Sequence, residues 1–223
     1  MPIVGYSRAS SFSPLSLSGL VAWYDASDTA TITSAGGAVS QWNDKYGTNH
    51  VTQGTAANKP TTGTRTQNGK NVLDFDGNDF LSVAVTVAQP WTVYVMHASD
   101  DPGSGQYQFF AQSAANKPTF YIEGNVYKLY AGSVVTSAIA ETSGFRFAAA
   151  VANGASSKGY VDGSTFTGNA STTGLSGLNI GAFSGGVVGL DGVVGEVIVC
   201  SGAHSDATVA QVRTYAQAKW GTA

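Results

Sequence analysis

Apolar residues occur along the chain in short runs or in alternation with polar residues, and turn-forming residues separate the runs. Val, Thr, Tyr and Phe are plentiful, whereas only Glu123, Glu141 and Glu196 represent glutamate. This composition is typical of β-strands, and their short spacing indicates a sandwich or a barrel. The predicted strands cover residues 19–25, 38–43, 71–75, 80–85, 91–97, 106–112, 119–122, 126–131, 145–151, 158–161, 178–182 and 193–200.

Aspartate followed by glycine marks three predicted turns, at residues 76–77, 162–163 and 191–192. Both residue types tolerate a positive φ, which the tight turns of hairpins require. Residues 75–80 and 160–164 are therefore predicted to be hairpin tips. Residues 100–103 indicate a longer loop, and residues 52–69, rich in Thr, Gly and Asn, predict an irregular connection.

A single helix is predicted at the end of the chain. Ser205 is a suitable N-cap, and Val209, Val212, Ala216 and Trp220 recur at helical spacing. We expect this helix to cover one edge of the sheet structure. No linker divides the chain, so the predicted organisation is an N-terminal arm over residues 1–16 and one domain over residues 17–223.

Composition narrows the range of partners. The chain has 223 residues, 11% of them charged, and a formal net charge of −3, while 43% of its residues are hydrophobic. A chain with that much apolar material and so little charge is expected to fold around a core. No Lys/Arg run is present to neutralise phosphates, which argues against nucleic acid, and no apolar stretch approaches the ~18 residues of a membrane span.

The cysteine and the histidines do not predict a reactive thiol or a zinc site. The lone Cys200 lies in an apolar run and is expected to be a buried, inert thiol. His50, His97 and His204 lie in unrelated sequence contexts without the spacing of a zinc site.

Several segments, taken in order, resemble the laminin-G-like, concanavalin A-like lectin/glucanase domains. In the first half these are residues 22–28 (AWYDASD), 39–47 (VSQWNDKYG), 59–61 (KPT) and 72–77 (VLDFDG), with Asp79 and Leu81. In the second half they are residues 159–163 (GYVDG), 178–181 (LNIG), 195–199 (GEVIV) and 219–221 (KWG). The resemblance covers residues 17–221.

The resemblance implies an all-β fold, a two-sheet antiparallel jelly-roll sandwich with one C-terminal helix. Relatives of this kind bind sugars, bind proteins, hydrolyse glucans or decorate virus particles, and many occur in bacteriophage virion proteins. A fold of this kind does not decide between these functions.

Carboxylates cluster on one predicted tip, where Asp74, Asp76, Asn78 and Asp79 supply hard oxygen ligands. Calcium is the one cofactor that these residues suggest, although Gly77 breaks the spacing of a helix-loop-helix calcium loop and no glutamate closes it. Asp74 and Asp76 are also the sole i,i+2 carboxylate pair on a predicted strand, and we assign them to turn geometry rather than to acid–base catalysis. Glu196 is expected to face solvent or to be paired.

Four tyrosines are the candidate binding residues for a glycan or a protein partner: Tyr46, Tyr107, Tyr127 and Tyr130. We expect their rings to be exposed, because flat rings with a polar tip suit sugar faces and protein interfaces. The four tryptophans, Trp23, Trp42, Trp91 and Trp220, are expected to be buried.

The sequence and the resemblance together favour a non-enzymatic virion structural or decoration protein, with no catalytic residues. It would attach to a capsid or tail protein through its N-terminal arm, bind glycans through its exposed face and form a homo-oligomer. The absence of a recognisable leader suggests assembly in a host cytoplasm and a place on the virion surface, with an extracellular location as the alternative. A stand-alone carbohydrate-binding module and a glycoside hydrolase, for which Asp74 or Glu196 would be essential, remain alternative functions.

Overall fold

The computed structural model describes residues 12–103, 110–112, 117–182 and 189–223. The strands and the helix have these bounds: β1 Leu20–Asp25, β2 Ile32–Ala35, β3 Ala38–Trp42, β4 Val51–Thr52, β5 Thr61–Gln67, β6 Lys70–Asp76, β7 Leu81–Val87, β8 Trp91–Ser99, β9 Phe110–Gln112, β10 Lys117–Glu123, β11 Val126–Tyr130, β12 Val134–Ala140, β13 Arg146–Ala152, β14 Ser157–Val161, β15 Ser164–Gly168, β16 Leu175–Ile180, β17 Asp191–Ser201 and α1 Asp206–Trp220.

The strands form two antiparallel layers, which we call the back sheet and the front sheet. In the back sheet, β17 pairs with β8 on one side and with both β6 and β1 on the other; β13, β14 and β15 follow β8, and β5 follows β6. The order of the front sheet is β2, β3, β4, β7, β16, β9, β10, β11 and β12. One pairing, of Ala38 with Thr61, joins the two sheets through β3 and β5. The predicted antiparallel sandwich is confirmed.

Two apolar layers hold the fold together. The first lies between the sheets and includes Trp42, Val95 and Leu129. The second lies between the outer face of the back sheet and α1, and it includes Tyr94 and Val212. Because successive side chains of a strand point to opposite faces, the central strands β8, β13 and β17 contribute to both layers. All nine residues of β8 are accordingly buried.

Helix α1 begins and ends as the sequence predicts. The Ser205 hydroxyl accepts a hydrogen bond from the Thr208 amide at 3.2 Å, and Gly221 ends the helix in the left-handed conformation with φ 70°. Its predicted apolar residues, Val209, Val212, Ala216 and Trp220, are buried. However, the helix packs on the outer face of the back sheet and does not cover an edge, since its apolar side chains meet the outward residues of β8, β13 and β17.

Two of the predicted turns are wrong. Residues 75–80 do not form a hairpin tip, because β6 pairs with β5 and β17 while β7 pairs with β4 and β16 in the other sheet. Asp191 and Gly192 lie inside β17. Gly192 has φ 150°, and a Cβ there would lie 2.2 Å from the Ala98 carbonyl oxygen, so close approach of β8 requires this glycine. The hairpin predicted at Asp162 joins β14 to β15 and is confirmed.

Most predicted strands are present, but several strands were missed. The connection predicted over residues 52–69 contains β5, and β2, β4, β12 and β15 were also not predicted. The predicted strand at residues 106–112 appears over Phe110–Gln112, and residues 106–109 lie outside the described part of the chain. All four tryptophans and Cys200 are buried as predicted.

Residues 12–16 of the predicted N-terminal arm belong to the described part of the chain. Phe12 packs against Tyr215 of α1 with ring centroids 5.4 Å apart, and the division into an arm and a domain stays a prediction. No helix in the described residues is long and apolar enough to cross a membrane.

Candidate functional site

A pocket of about 470 Å³ opens at the rim of the sandwich, where β5, β6 and β17 meet the segments after β4 and β8. Pairing of β17 with β6 sets Asp191 opposite Asp76 in register, which brings acidic residues distant in sequence to one place. The pocket is lined by Ala56, Ala57, Lys59, Thr61, Arg65, Asp74, Phe75, Asp76, Asp79, Asp100 and Asp191.

Arg65 organises one wall of this rim pocket. Its Nη1 donates to Asp74 Oδ1 at 3.1 Å and to Asp100 Oδ2, and its Nη2 donates to Asp100 Oδ1 at 2.9 Å. A guanidinium that donates to both oxygens of one carboxylate fixes its orientation as well as its position. The pKa of Arg65 is raised, chiefly by the hydrogen bond to Asp100, so the cation persists at all ordinary pH values.

The loop after β6 forms the other wall. Asp76 Oδ1 accepts from the Asn78 amide at 3.0 Å, and Asp79 Oδ2 accepts from the Asp76 amide at 3.2 Å. Asp76, which was predicted together with Asp74 to serve turn geometry, makes such a contact, whereas Asp74 is paired with Arg65. Asp79 is buried, and burial together with the neighbouring Asp76 charge raises its pKa to about 6.

Negative charge dominates the pocket. Burial raises the pKa of Asp191, and the charges of Asp100, Asp101, Asp76 and Asp74 raise it further. The lining thus combines several hydrogen-bond acceptors with the donors of Lys59 and Arg65.

The calcium predicted at Asp74, Asp76, Asn78 and Asp79 finds no ready-made ligand set. Asp74 is paired with Arg65, and Asp76 and Asp79 accept backbone N–H groups. Within the described residues, no three His, Cys, Asp or Glu side chains are placed to hold a metal ion.

The candidate tyrosines do not form one platform. Tyr46 is 55% exposed, as predicted, and Tyr130 is half-buried. Tyr127 is fully buried between the sheets, so its predicted exposure is wrong, and Tyr107 lies outside the described residues. In the front sheet five strands separate β3, which precedes Tyr46, from β11, which carries Tyr127 and Tyr130. That separation is roughly 29 Å at the usual strand spacing.

Glu196 is a structural residue: it was predicted to face solvent or to be paired, and the paired alternative is confirmed. It lies on β17 beneath α1 with no exposed surface. Its Oε1 accepts from Trp23 Nε1 at 2.6 Å and from Tyr215 Oη at 2.8 Å. Its Oε2 accepts from Trp220 Nε1 at 2.7 Å and from Lys219 Nζ at 3.0 Å.

With four donors around it, Glu196 has no oxygen left for a substrate. Burial raises its pKa, while Lys219 and the indole N–H groups oppose that rise. It therefore fixes the helix to the sheet and cannot serve as the catalytic acid of a glycoside hydrolase.

Comparison with known proteins finds similar folds only among solved structures. No protein-family model and no curated protein matches the chain. Among solved structures, the chain is similar to Trypanosoma rangeli sialidase in complex with sialic acid, with a TM-score of 0.63 and 15% identity over 92% of this chain and 34% of that one. It is also similar to domain 4 of AbnA, a GH43 extracellular arabinanase from Geobacillus stearothermophilus, in complex with arabinotriose. There the TM-score is 0.59, and 15% identity covers 89% of this chain and 98% of that one.

These neighbours support the β-sandwich fold and correct one prediction. The prediction that the protein is not an enzyme is contradicted, because the neighbours are sialidases and a domain of an arabinanase. The chain spans about a third of the length of the sialidases it matches, and at 15% identity the likeness establishes the fold alone.

Proposed function

We propose that this chain is a glycan-binding β-sandwich of a carbohydrate-active protein, and that the rim pocket is its binding site. The observation that carries the proposal is a pocket of about 470 Å³ with polar walls, on a fold shared with an arabinanase domain solved with arabinotriose. That volume lies within the range of about 300–1,000 Å³ usual for small-molecule sites.

The chemistry of the walls suits a sugar. Hydroxyl groups donate to carboxylates and accept from guanidinium and ammonium groups, and the lining offers both kinds of partner. Arg65 is already held by Asp74 and Asp100, so its orientation is set before a ligand arrives. The predicted attachment to a capsid or tail, the location on a virion and the homo-oligomer stay predictions.

A glycan array with the whole chain, followed by titration of arabinotriose and of each retained glycan, tests the proposal. Asp191→Asn is the informative variant, because Asp191 lines the pocket and asparagine keeps its size. Asp101→Asn is the matched control, because it removes the same charge from an exposed neighbour that does not line the pocket.

We expect Asp191→Asn to weaken binding at least fivefold and Asp101→Asn to change it less than twofold. Equal affinity of both variants would place the site elsewhere, and an array without a retained glycan would reject glycan binding. Release of reducing ends by the same samples would instead show a glycoside hydrolase.

A further inference from the structure

A second group of ionisable side chains lies inside the sandwich, away from the rim pocket. It consists of His97 on β8, Tyr127 on β11, Glu141 directly after β12, Arg146 on β13 and Asp162 in the β14–β15 turn, and we call it the interior cluster. The side chains of His97 and Glu141 have no exposed surface. The Tyr127 hydroxyl lies 3.3 Å from His97 Nε2.

Glu141 is the member of the interior cluster whose side chain is most poorly hydrogen-bonded. Both of its carboxyl oxygens are buried without a hydrogen bond of normal geometry in the described part of the chain. His97 Nδ1 lies 3.9 Å from Oε1, beyond hydrogen-bond distance, and the Tyr127 hydroxyl and the Arg146 guanidinium also face the carboxyl group. A buried carboxylate with so few partners is costly to ionise.

The nearby basic groups do not remove that cost. Arg146 uses Nε for Asp162 Oδ2 at 2.9 Å and Nη1 for the Ala140 carbonyl oxygen at 2.8 Å. Complete burial, together with the Arg146 charge, keeps the pKa of His97 well below its usual value, so this ring is neutral. Burial raises the pKa of Glu141 to about 7, even though Arg146 and Tyr127 favour its ionised form and Asp162 opposes it.

The position of Glu141 connects its charge to the closure of the fold. It starts the segment that passes from β12 in the front sheet to β13 in the back sheet. Its amide also donates to the Asn125 carbonyl oxygen at 3.0 Å, in the turn between β10 and β11. Beside it, the Ala140 carbonyl oxygen at the end of β12 accepts from Arg146 Nη1 of β13 in the back sheet. A movement of Glu141 toward water therefore disturbs a contact between β12 and the back sheet.

We propose that Glu141 is a pH-sensitive latch: while its carboxyl group is neutral it stays buried and the β11–β12 hairpin stays closed against the back sheet, and on ionisation it lets this hairpin open. The closed state binds the extra proton, so it is favoured at low pH. It is lost as the pH rises through the pKa of Glu141 in the closed state. With a Glu141 pKa of 4.5 in the opened state and about 7 in the closed state, the equilibrium constant for opening increases about tenfold between pH 6 and pH 8.

Hydrogen exchange measured by mass spectrometry at pH 6 and pH 8, corrected for intrinsic exchange, tests the latch. Peptides that cover β11 and β12 should lose about tenfold in protection at pH 8 in the wild-type chain. Glu141→Gln should abolish this pH-dependent loss whatever its effect on overall stability. Glu123→Gln is the matched control, because Glu123 is a partly exposed glutamate that pairs with Lys128 in the same region, and it should behave as wild type.

Carboxyl carbon NMR of the glutamate-labelled wild-type chain is a second measurement that needs no variant. The chain has only three glutamates, so the Glu141 signal is readily assigned through the Glu141→Gln sample. A titration midpoint near 7 supports the latch, and one near 4.5 overturns it. An equal loss of protection in wild type and Glu141→Gln, or no loss in wild type, overturns it as well.

Discussion

Replacing Glu196 with alanine is expected to destabilise the whole fold, because one carboxylate joins two layers of the structure. The two carboxylate oxygens of Glu196 accept hydrogen bonds from Trp23 of β1 and from both Trp220 and Lys219 of α1. Alanine leaves all these donors in place and removes the group that they share.

The expected loss in the free energy of unfolding depends on which of these donors keep another hydrogen-bond partner. Lys219 keeps Asp25, whose Oδ1 lies 2.7 Å from Nζ, so this cation stays paired. The indole N–H groups of Trp23 and Trp220 have no other acceptor in the described contacts. An orphaned buried donor costs about 1–3 kcal/mol, so two of them give about 2–6 kcal/mol. This is a large part of the roughly 5–15 kcal/mol by which a typical domain is stable.

Urea unfolding at pH 7, followed by tryptophan fluorescence, measures this loss. Glu123→Ala is the control, since it breaks a partly exposed pair with Lys128 and should cost less than about 1 kcal/mol. A folded Glu196→Ala chain within about 1 kcal/mol of wild type would show that the two indoles find other partners, and the assignment of Glu196 as the tie between helix and sheet would be wrong.

Two further predictions concern packing. Gly159→Ala should cost about 1–3 kcal/mol in urea unfolding, because a Cβ there would lie 2.0 Å from the ring of Phe166, its cross-strand partner; an unchanged midpoint would contradict this. Cys200 should resist a thiol reagent at pH 8 until the chain unfolds, because burial raises its pKa to about 12; labelling of the native chain faster than its unfolding would contradict this.

The sequence predicted the buried strands and the helix well, since their apolar patterns directly record burial. It missed β5, because this strand reads TTGTRTQ and has no buried residue to reveal its period. The hairpin predicted at residues 75–80 was wrong because a turn signal is local in sequence. An aspartate–glycine pair signals a turn, but it does not say whether the next strand returns to the same sheet.

The candidate site was predicted only as far as residues close in sequence. Asp74, Asp76 and Asp79 were recognised together, whereas Arg65 and Asp191 join them through pairing of β5 and β17 with β6. Tyr127 was assigned to the surface, although its alternation with Leu129 places both on the inner face of β11.

Because α1 and its apolar contacts occupy the outer face of the back sheet, the two broad faces of the sandwich are not equivalent for protein engineering. A library of variants intended to recruit a new target should leave β8, β13 and β17 unchanged. It should instead randomise outward positions of the front sheet, such as Thr136 on β12, together with the loops at the rim.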